Sequence, residues 1–371
     1  MARNPPTRRR LNRASSDAQR KMIEVDGSYG EGGGQVLRTA VALAAVLSKE
    51  IHVFNIRAGR AEPGLRPQHM TGVKAAAELC SANLQGLEVG ATDFVFKPGK
   101  LRAGTFRFDV GTAGSVTLVL QTLMPIIAFA PGTVQLEITG GTDVKWSPPI
   151  DYLRLVTLPI LKKIGYRGSL EIVRRGHYPK GGGLVKFSSG GASNLQAANY
   201  EKPGLISKIY GISHATALPR HVAERQVAAA RKNLEEAKLP SPSIDVEVVD
   251  DKRQLGPGSG IVLSAEMQNG IILGSDALGE RGRPAEEVGS TAGRILVEEV
   301  ESGATLDRHM GDMIIPYLAL SKGASEVSIS RITQHTRTNV KVAEWFTGGR
   351  LDLDGELDHP GRLRVEGLRP I

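Results

Sequence analysis

Asp26-Gly-Ser-Tyr-Gly-Glu31-Gly-Gly-Gly-Gln35-Val36-Leu-Arg38-Thr-Ala-Val-Ala-Leu-Ala-Ala45 is a glycine-rich turn running straight into an apolar helix. Three successive glycines let backbone amides approach a ligand closely, and the helix start turns the positive end of its dipole toward an anion. Glu31 is an acid that a simple phosphate cradle does not need. An acid beside a phosphate site points to a divalent metal.

Working outward, helices of two kinds recur. One follows a glycine-containing turn: Val36–Leu47, Ser115–Phe129 after Gly111-Thr-Ala-Gly114, and a stretch around Glu286–Val300. The other follows a proline- or glycine-rich loop: Gln68–Ser81, Pro149–Ile164 and roughly His309–Lys322. Strand-like apolar runs separate them, such as Ile51–Ile56, Val134–Ile138 and Val327–Ile332. Gln68 and Pro149 lie 81 residues apart, Pro149 and His309 160. Three units of about 80 residues fit if some 80–90 residues interrupt the third. The interruption reads as an α/β unit of its own, with strands Ile206–Ile212, Ile244–Val249, Gly260–Met267 and Ile271–Leu273 and a helix Arg220–Ala237. Alternating helices and strands can give an apparent period by themselves; the repeat is the reading adopted. It divides the chain into a basic tail (1–21), a repeat domain (22–200 and 285–371) and an inserted α/β domain (201–284).

The 371 residues have room for two or more domains, and 40% apolar with 23% charged content describes a globular protein. The net charge of +8 is concentrated in residues 1–21, which carry +6 and are expected to be disordered. The remaining chain is near neutral, so a polyanion site must be a local cluster rather than a broad basic face. Cys80 is the only cysteine, which excludes a disulfide framework and a cysteine metal site. The most apolar run, Ser115 to Ala130, holds Gln121 and Pro125 and is too short for a membrane span, so a cytoplasmic protein is expected.

Asn55-Ile-Arg57-Ala-Gly-Arg60-Ala-Glu-Pro-Gly64-Leu-Arg66-Pro-Gln68-His69 packs three arginines into a loop between strand and helix. With Arg38 it could clamp a triphosphate or a nucleic-acid end through bidentate guanidinium contacts; a solvated, salt-bridged loop is the plainer alternative. Neither GxxxxGK[ST] nor GxGxxG occurs, and Lys180-Gly-Gly-Gly183 reads as a strand turn. In Gln334-His335-Thr-Arg337-Thr-Asn339 the imidazole follows a strand among polar neighbours, where a neutral ring is a competent nucleophile toward phosphorus. His309 and Asp312, at i and i+3, could bind a metal, orient one another, or simply start a helix.

Taken together these segments resemble the RNA 3′-terminal phosphate cyclase family. The resemblance adds Gly114-Ser-Val-Thr-Leu-Val-Leu-Gln121, Gly140-Gly-Thr-Asp143, Ser147-Pro-Pro149, Tyr178-Pro-Lys-Gly-Gly-Gly183 and Pro219-Arg-His-Val-Ala-Glu-Arg225, and spans about residues 22–345 in order. It implies an α/β (α+β) fold of three repeats, each of two helices on a four-stranded sheet, with a smaller inserted α/β domain. It implies an enzyme that uses ATP and Mg²⁺ or Mn²⁺ to cyclise RNA 3′-phosphate ends through a covalent histidine–AMP intermediate, releasing AMP and pyrophosphate. No membrane or obligatory protein partner is implied.

By the same resemblance His335 is the nucleophile, and Gln121, Pro148, His309, Met310, Gly311, Asp312 and Met313 form the ATP site. Arg38, Arg57, Arg60 and Gln68 handle phosphate, and Glu31 binds the metal. His309 stands where an adenine-stacking aromatic, commonly tyrosine, is usual, and Met313 where glutamine is common. The competing reading is a non-catalytic cyclase-like protein that binds RNA in ribosome assembly; such relatives lack the nucleophilic histidine. An enolpyruvyl-type transferase on a similar repeat predicts no covalent nucleotide.

Overall fold

A computed structural model describes residues 22–191, 194–200, 202–250, 255–348 and 351–368. The basic tail at 1–21 lies outside the described residues.

The first unit runs β1 (Ile23–Asp26), α1 (Gly34–Leu47), β2 (Ile51–Phe54), α2 (Pro67–Leu79), β3 (Asn83–Gln85) and β4 (Phe94–Lys97), with strand order β1-β2-β4-β3. The second repeats that path. It comprises β5 (Gly104–Asp109), α3 (Val116–Ile127), β6 (Val134–Gly140), α4 (Ile150–Tyr152) continuing through a wide turn into α5 (Leu158–Lys163), β7 (Gly168–Arg174) and β8 (Gly183–Ser189), ordered β5-β6-β8-β7. In both, the first two strands are parallel and the rest antiparallel. The alternation predicted from sequence is visible in β6, where Val134, Leu136 and Ile138 point into the core.

The inserted unit contains β9 (Ile206–Thr216), α6 (Arg220–Glu236), β10 (Ser243–Val249), β11 (Gly258–Met267), β12 (Ile272–Leu278) and α7 (Ala285–Glu301), with strand order β10-β9-β11-β12. The chain then re-enters the repeats with α8 (Met310–Met313), α9 (Ile315–Ala319), β13 (Ala324–Ile329), α10 (Gln334–Thr347), β14 (Leu351–Asp354) and β15 (Gly361–Glu366). The third sheet is ordered β13-β15-β14, which is the second, fourth and third strand of the repeat. The missing first strand is supplied from before the insertion. Gln196 and Asn199 bridge in parallel to Lys322 and Glu326, and Lys322 N–H donates to the Leu195 carbonyl at 2.9 Å. The insertion thus falls between the first strand and first helix of the third unit.

Two differences from the sequence reading follow. The helix at 285–301, grouped by spacing with the repeat helices, packs on α6, β11 and β12 instead, and its Val288, Ala292 and Leu296 join the core of the inserted sheet. The stretch from His309 therefore occupies the first helix position of its unit, and the second is α10, which the spacing argument did not single out. All three repeats share one continuous core, to which Val36, Leu120, Ile138, Leu161, Leu318 and Ile329 contribute.

Candidate active site

The site assembles where helices begin. Thr333 caps α10: its hydroxyl accepts from the Thr336 N–H at 3.1 Å, leaving His335 in the first turn. The His335 Nε2 lies 3.5 Å from Glu31 Oε2, and the same carboxylate oxygen is 3.6 Å from Arg60 Nη2. Glu31 sits on the turn before α1, where Gly30 and Gly32 take φ of +64° and +57°, conformations that favour glycine. Burial pushes the His335 pKa below 6.5. Glu31 pulls it up, but Arg38, His309 and Arg60 add to the lowering. The imidazole is thus neutral at neutral pH, the form with a free lone pair.

Around this pair stand the cations. Arg38, half-buried on α1, has its pKa lowered to about 10 by burial, with Asp312 opposing the shift; it also donates to the Gln35 side-chain oxygen. In the loop between β2 and α2, Arg57 donates to the Glu62 carbonyl at 3.2 Å and Arg66 pairs with the Glu62 carboxylate. The Arg57 pKa is lowered by burial and by repulsion from Arg66 and Arg60, against Glu62. An anion placed among these guanidiniums would relieve that repulsion. Gln68 reaches the second repeat, where its Oε1 accepts from the Ser115 N–H at 3.2 Å. Next to it, buried His69 accepts the Arg66 N–H at Nδ1 (3.3 Å). Burial and the Arg38, Arg57 and Arg66 charges depress its pKa to about 3.

On the far side His309 stands at the start of α8. Its Nε2 is 3.4 Å from Asp276 Oδ1, and its ring meets Tyr152 edge-on at 5.3 Å. Burial opposes its protonation, but Asp276, Asp307 and Asp312 outweigh it and raise the pKa to about 9. Asp312 is pushed up to about 7 by burial and by Asp307 and Glu31, with His309 and Arg38 opposing. Gln121, Asp312 and Met313 line one cleft with Gln35, Arg38 and Asn339. Pro148 lies in the loop before α4, where its carbonyl accepts from the Thr117 hydroxyl at 2.9 Å. Met310 is fully buried in the core, and Gly311 lies so close to Ile329 that a Cβ would strike it. Their backbone N–H groups bond Asp307, Met310 to its carboxylate and Gly311 to its carbonyl.

Four residues of this arrangement were absent from the sequence-derived set. Buried Asn339, one helical turn beyond His335, accepts from Gln35 Nε2 (2.9 Å) and Thr39 Oγ1 (2.6 Å) and donates to the Asp312 carbonyl (2.8 Å). It ties α1, α8 and α10 together. Buried Asp307 accepts from Tyr152 Oη (2.5 Å), Gly274 N–H (2.8 Å), and the His309 and Met310 N–H groups (both 2.9 Å). Asp276 and His69 complete the set. An i, i+4 partner of His335 and an aspartate three residues before a helix were readable signals. The approach of Asp276 on β12 was not.

Fold and site together define the class: an α/β repeat protein whose site brings guanidiniums, the Glu31 and Asp312 carboxylates and a neutral imidazole together near helix starts, a constellation suited to phosphoryl groups. A family model described as RNA 3′-terminal phosphate cyclase matches residues 29–353. Curated proteins of that name share 51% identity over 94% of this chain and 99% of the relative in Ignicoccus hospitalis, and 51% over 93% and 99% in Pyrobaculum neutrophilum. The Pyrococcus abyssi protein shares 49% over 93% and 98%. The chain belongs to the RNA 3′-terminal phosphate cyclase family of enzymes. A solved EPSP synthase from Acinetobacter baumannii, aligning over 94% of this chain and 65% of its own, gives a TM-score of 0.35 at 15% identity, too distant to bear on the site.

Proposed function

We propose that the chain converts RNA 3′-terminal phosphates to 2′,3′-cyclic phosphates in an ATP-dependent reaction, through an AMP adduct on His335, and does so in the cytoplasm. The observation that carries this reading is the neutral His335 imidazole at the start of α10, facing Glu31 and the arginines. Its Nε2 attacks the α-phosphorus of ATP; a P–N bond forms, the bond to the β-phosphate breaks, and pyrophosphate leaves. An oxygen of the RNA 3′-phosphate then attacks the adenylate phosphorus and expels the imidazole. Finally the 2′-hydroxyl, losing its proton, attacks the terminal phosphorus, and AMP departs. Cyclisation itself is undemanding because the ribose holds the hydroxyl next to the phosphate. The difficulty is the leaving group, which adenylylation supplies.

Arg38, Arg57, Arg60 and Gln68 would hold phosphate oxygens and stabilise charge in both displacements. Gln121, Pro148, His309, Asp312 and Met313 would hold the nucleotide; an imidazolium at His309 can still stack on adenine. Glu31 fits a hard divalent cation such as Mg²⁺ or Mn²⁺, which takes one or two carboxylates and completes its shell with phosphate oxygens and water. Such an ion, when bound, neutralises phosphate charge.

The test is incubation with Mg²⁺ and ATP labelled at the α-phosphate, followed by denaturation. An acid-labile label is expected on the wild-type chain and none on His335→Ala, while His309→Ala should weaken ATP binding yet still form adduct. Equal labelling of wild type and His335→Ala would overturn the mechanism.

A further inference from the structure

A second group of chemistry-bearing side chains lies away from the cleft, where the inserted domain meets the second repeat. Asp143 follows β6, His177 follows β7, and His214 lies on β9 of the insertion. All three are buried, at 4%, 5% and 1% exposure, and one ligand atom from each lies within 4.8 Å of the others. The two imidazoles are stacked, with centroids 5.3 Å apart. The polar atoms here lack hydrogen-bond partners: His177 Nε2, both ring nitrogens of His214, and Asp143 Oδ1. Buried imidazoles normally satisfy at least one nitrogen, so an arrangement that leaves three without partners calls for a ligand.

The surroundings suit a cation. Asp143, Asp151 and Glu247 are three carboxylates set against the guanidiniums of Arg175 and Arg154. One negative charge is left in excess. The second Asp143 oxygen is occupied by the Thr142 hydroxyl (2.7 Å) and Arg175 Nη1 (3.2 Å), which fixes the carboxylate and leaves Oδ1 free. Backbone bridges hold Asp143 against His177 and His177 against Gly181, and a side chain at Gly258 on β11 would strike the His177 ring.

We propose that Asp143, His177 and His214 form a structural site for a zinc-type divalent ion that fastens the inserted domain to the second repeat. Two borderline imidazole ligands beside a single carboxylate suit Zn²⁺ rather than Mg²⁺ or Ca²⁺, which take all-oxygen shells, and a water completes a tetrahedron. Donors on a zinc ion with bonds of about 2.0–2.1 Å lie roughly 3.4 Å apart, so the observed spread closes by small side-chain rotations. This ion is distinct from the one Glu31 would hold.

The full-length protein, dialysed against a weak chelator and then supplied with Zn²⁺ alone, is assayed by elemental analysis. About one zinc per chain is expected for wild type, Glu31→Gln and His335→Ala alike, and less than about a tenth of that for the His177→Ala/His214→Ala pair. Zinc-edge X-ray absorption of the wild type, which needs no variant to fold, should report two imidazoles with oxygen. Wild type without stoichiometric zinc, zinc kept by the double variant, zinc lost from Glu31→Gln, or an absorption spectrum without imidazole would each overturn the proposal.

Discussion

Asn339 joins the third repeat to the first through two buried hydrogen bonds and holds α8 through a third, partly buried one, and removing it should show both in stability and in chemistry. Asn339→Ala leaves Gln35 Nε2, Thr39 Oγ1 and the Asp312 carbonyl without their partner. Neutral hydrogen bonds contribute about 1 kcal/mol each, and a buried orphan costs about 1–3 kcal/mol. Because the cleft borders this network and admits water to part of it, a loss of about 3 kcal/mol is expected rather than the sum of the upper limits. Gln35→Ala removes one of the three bonds and the Arg38 contact, for about 1.5 kcal/mol. Since the two residues share a bond, the double variant should be less destabilised than the sum, by about 1 kcal/mol. Urea midpoints at unchanged slope measure all four corners of this cycle. The chemical consequence is larger. Asn339 fixes the helix carrying His335, and a shift of about 1 Å in a reacting group costs on the order of 100-fold. The initial rate of adduct formation at saturating ATP should fall accordingly. Additive stabilities within about 0.3 kcal/mol, or a destabilised Asn339→Ala with an unchanged adduct rate, would refute the argument.

Three further outcomes follow. The adduct rate should rise with pH with a midpoint below 6.5, because the neutral His335 is the nucleophile and its pKa is lowered; Glu31→Gln removes the group that raises it and should move the midpoint lower still. Asp276→Asn should bring the His309 titration, followed by NMR, down from about 9, because it removes the leading contribution that holds the imidazolium. His69 titrates near 3 when folded against 6.5 when unfolded, so unfolding takes up a proton between those values. Its contribution is intact above 6.5 and is lost as the pH falls, by about 2 kcal/mol at pH 5; the pH dependence of the urea midpoint should flatten over that window in His69→Gln.

Local chemistry was legible in the sequence where it is local in the chain. The Glu31 turn, the arginine loop and His335 each announce themselves by composition, and the repeat follows from spacing. What spacing could not reveal was which strand completes the third sheet. Residues 195–200 pair with β13 across more than a hundred intervening residues, a long-range pairing with no local signature. That same gap caused the helix at 285–301 to be grouped with the repeats, because its amphipathic pattern records only that it packs, not on which sheet. Asp276 could not be read for the same reason: its role depends on how the inserted unit closes on the third repeat.

The corrected repeat register explains why the site is divided as it is. In each unit the second helix begins in an equivalent place, and its second residue is Gln68 in α2, Asp151 in α4 and His335 in α10. A helix start offers unpaired N–H groups and a positive field, so all three positions are suited to hold negative charge. They have taken different parts. Gln68 spans to Ser115, stitching the first repeat to the second beside the arginines. Asp151 is buried and supplies the charge itself, pairing with Arg175 at 2.7 Å where Arg175 also meets Glu247 of the insertion. His335 alone stays half exposed and uncommitted to a structural partner, its nearest charged neighbour a carboxylate 3.5 Å away. The second repeat has thus spent its equivalent position on anchoring the inserted domain, which in turn delivers Asp276 to His309. A change at Asp151 should therefore reach the nucleotide side of the cleft through the insertion while leaving the Glu31–His335 pair in place. Asp151→Asn ought to raise the Kd for ATP more than it slows adduct formation at saturation, and the reverse pattern would contradict this division of labour.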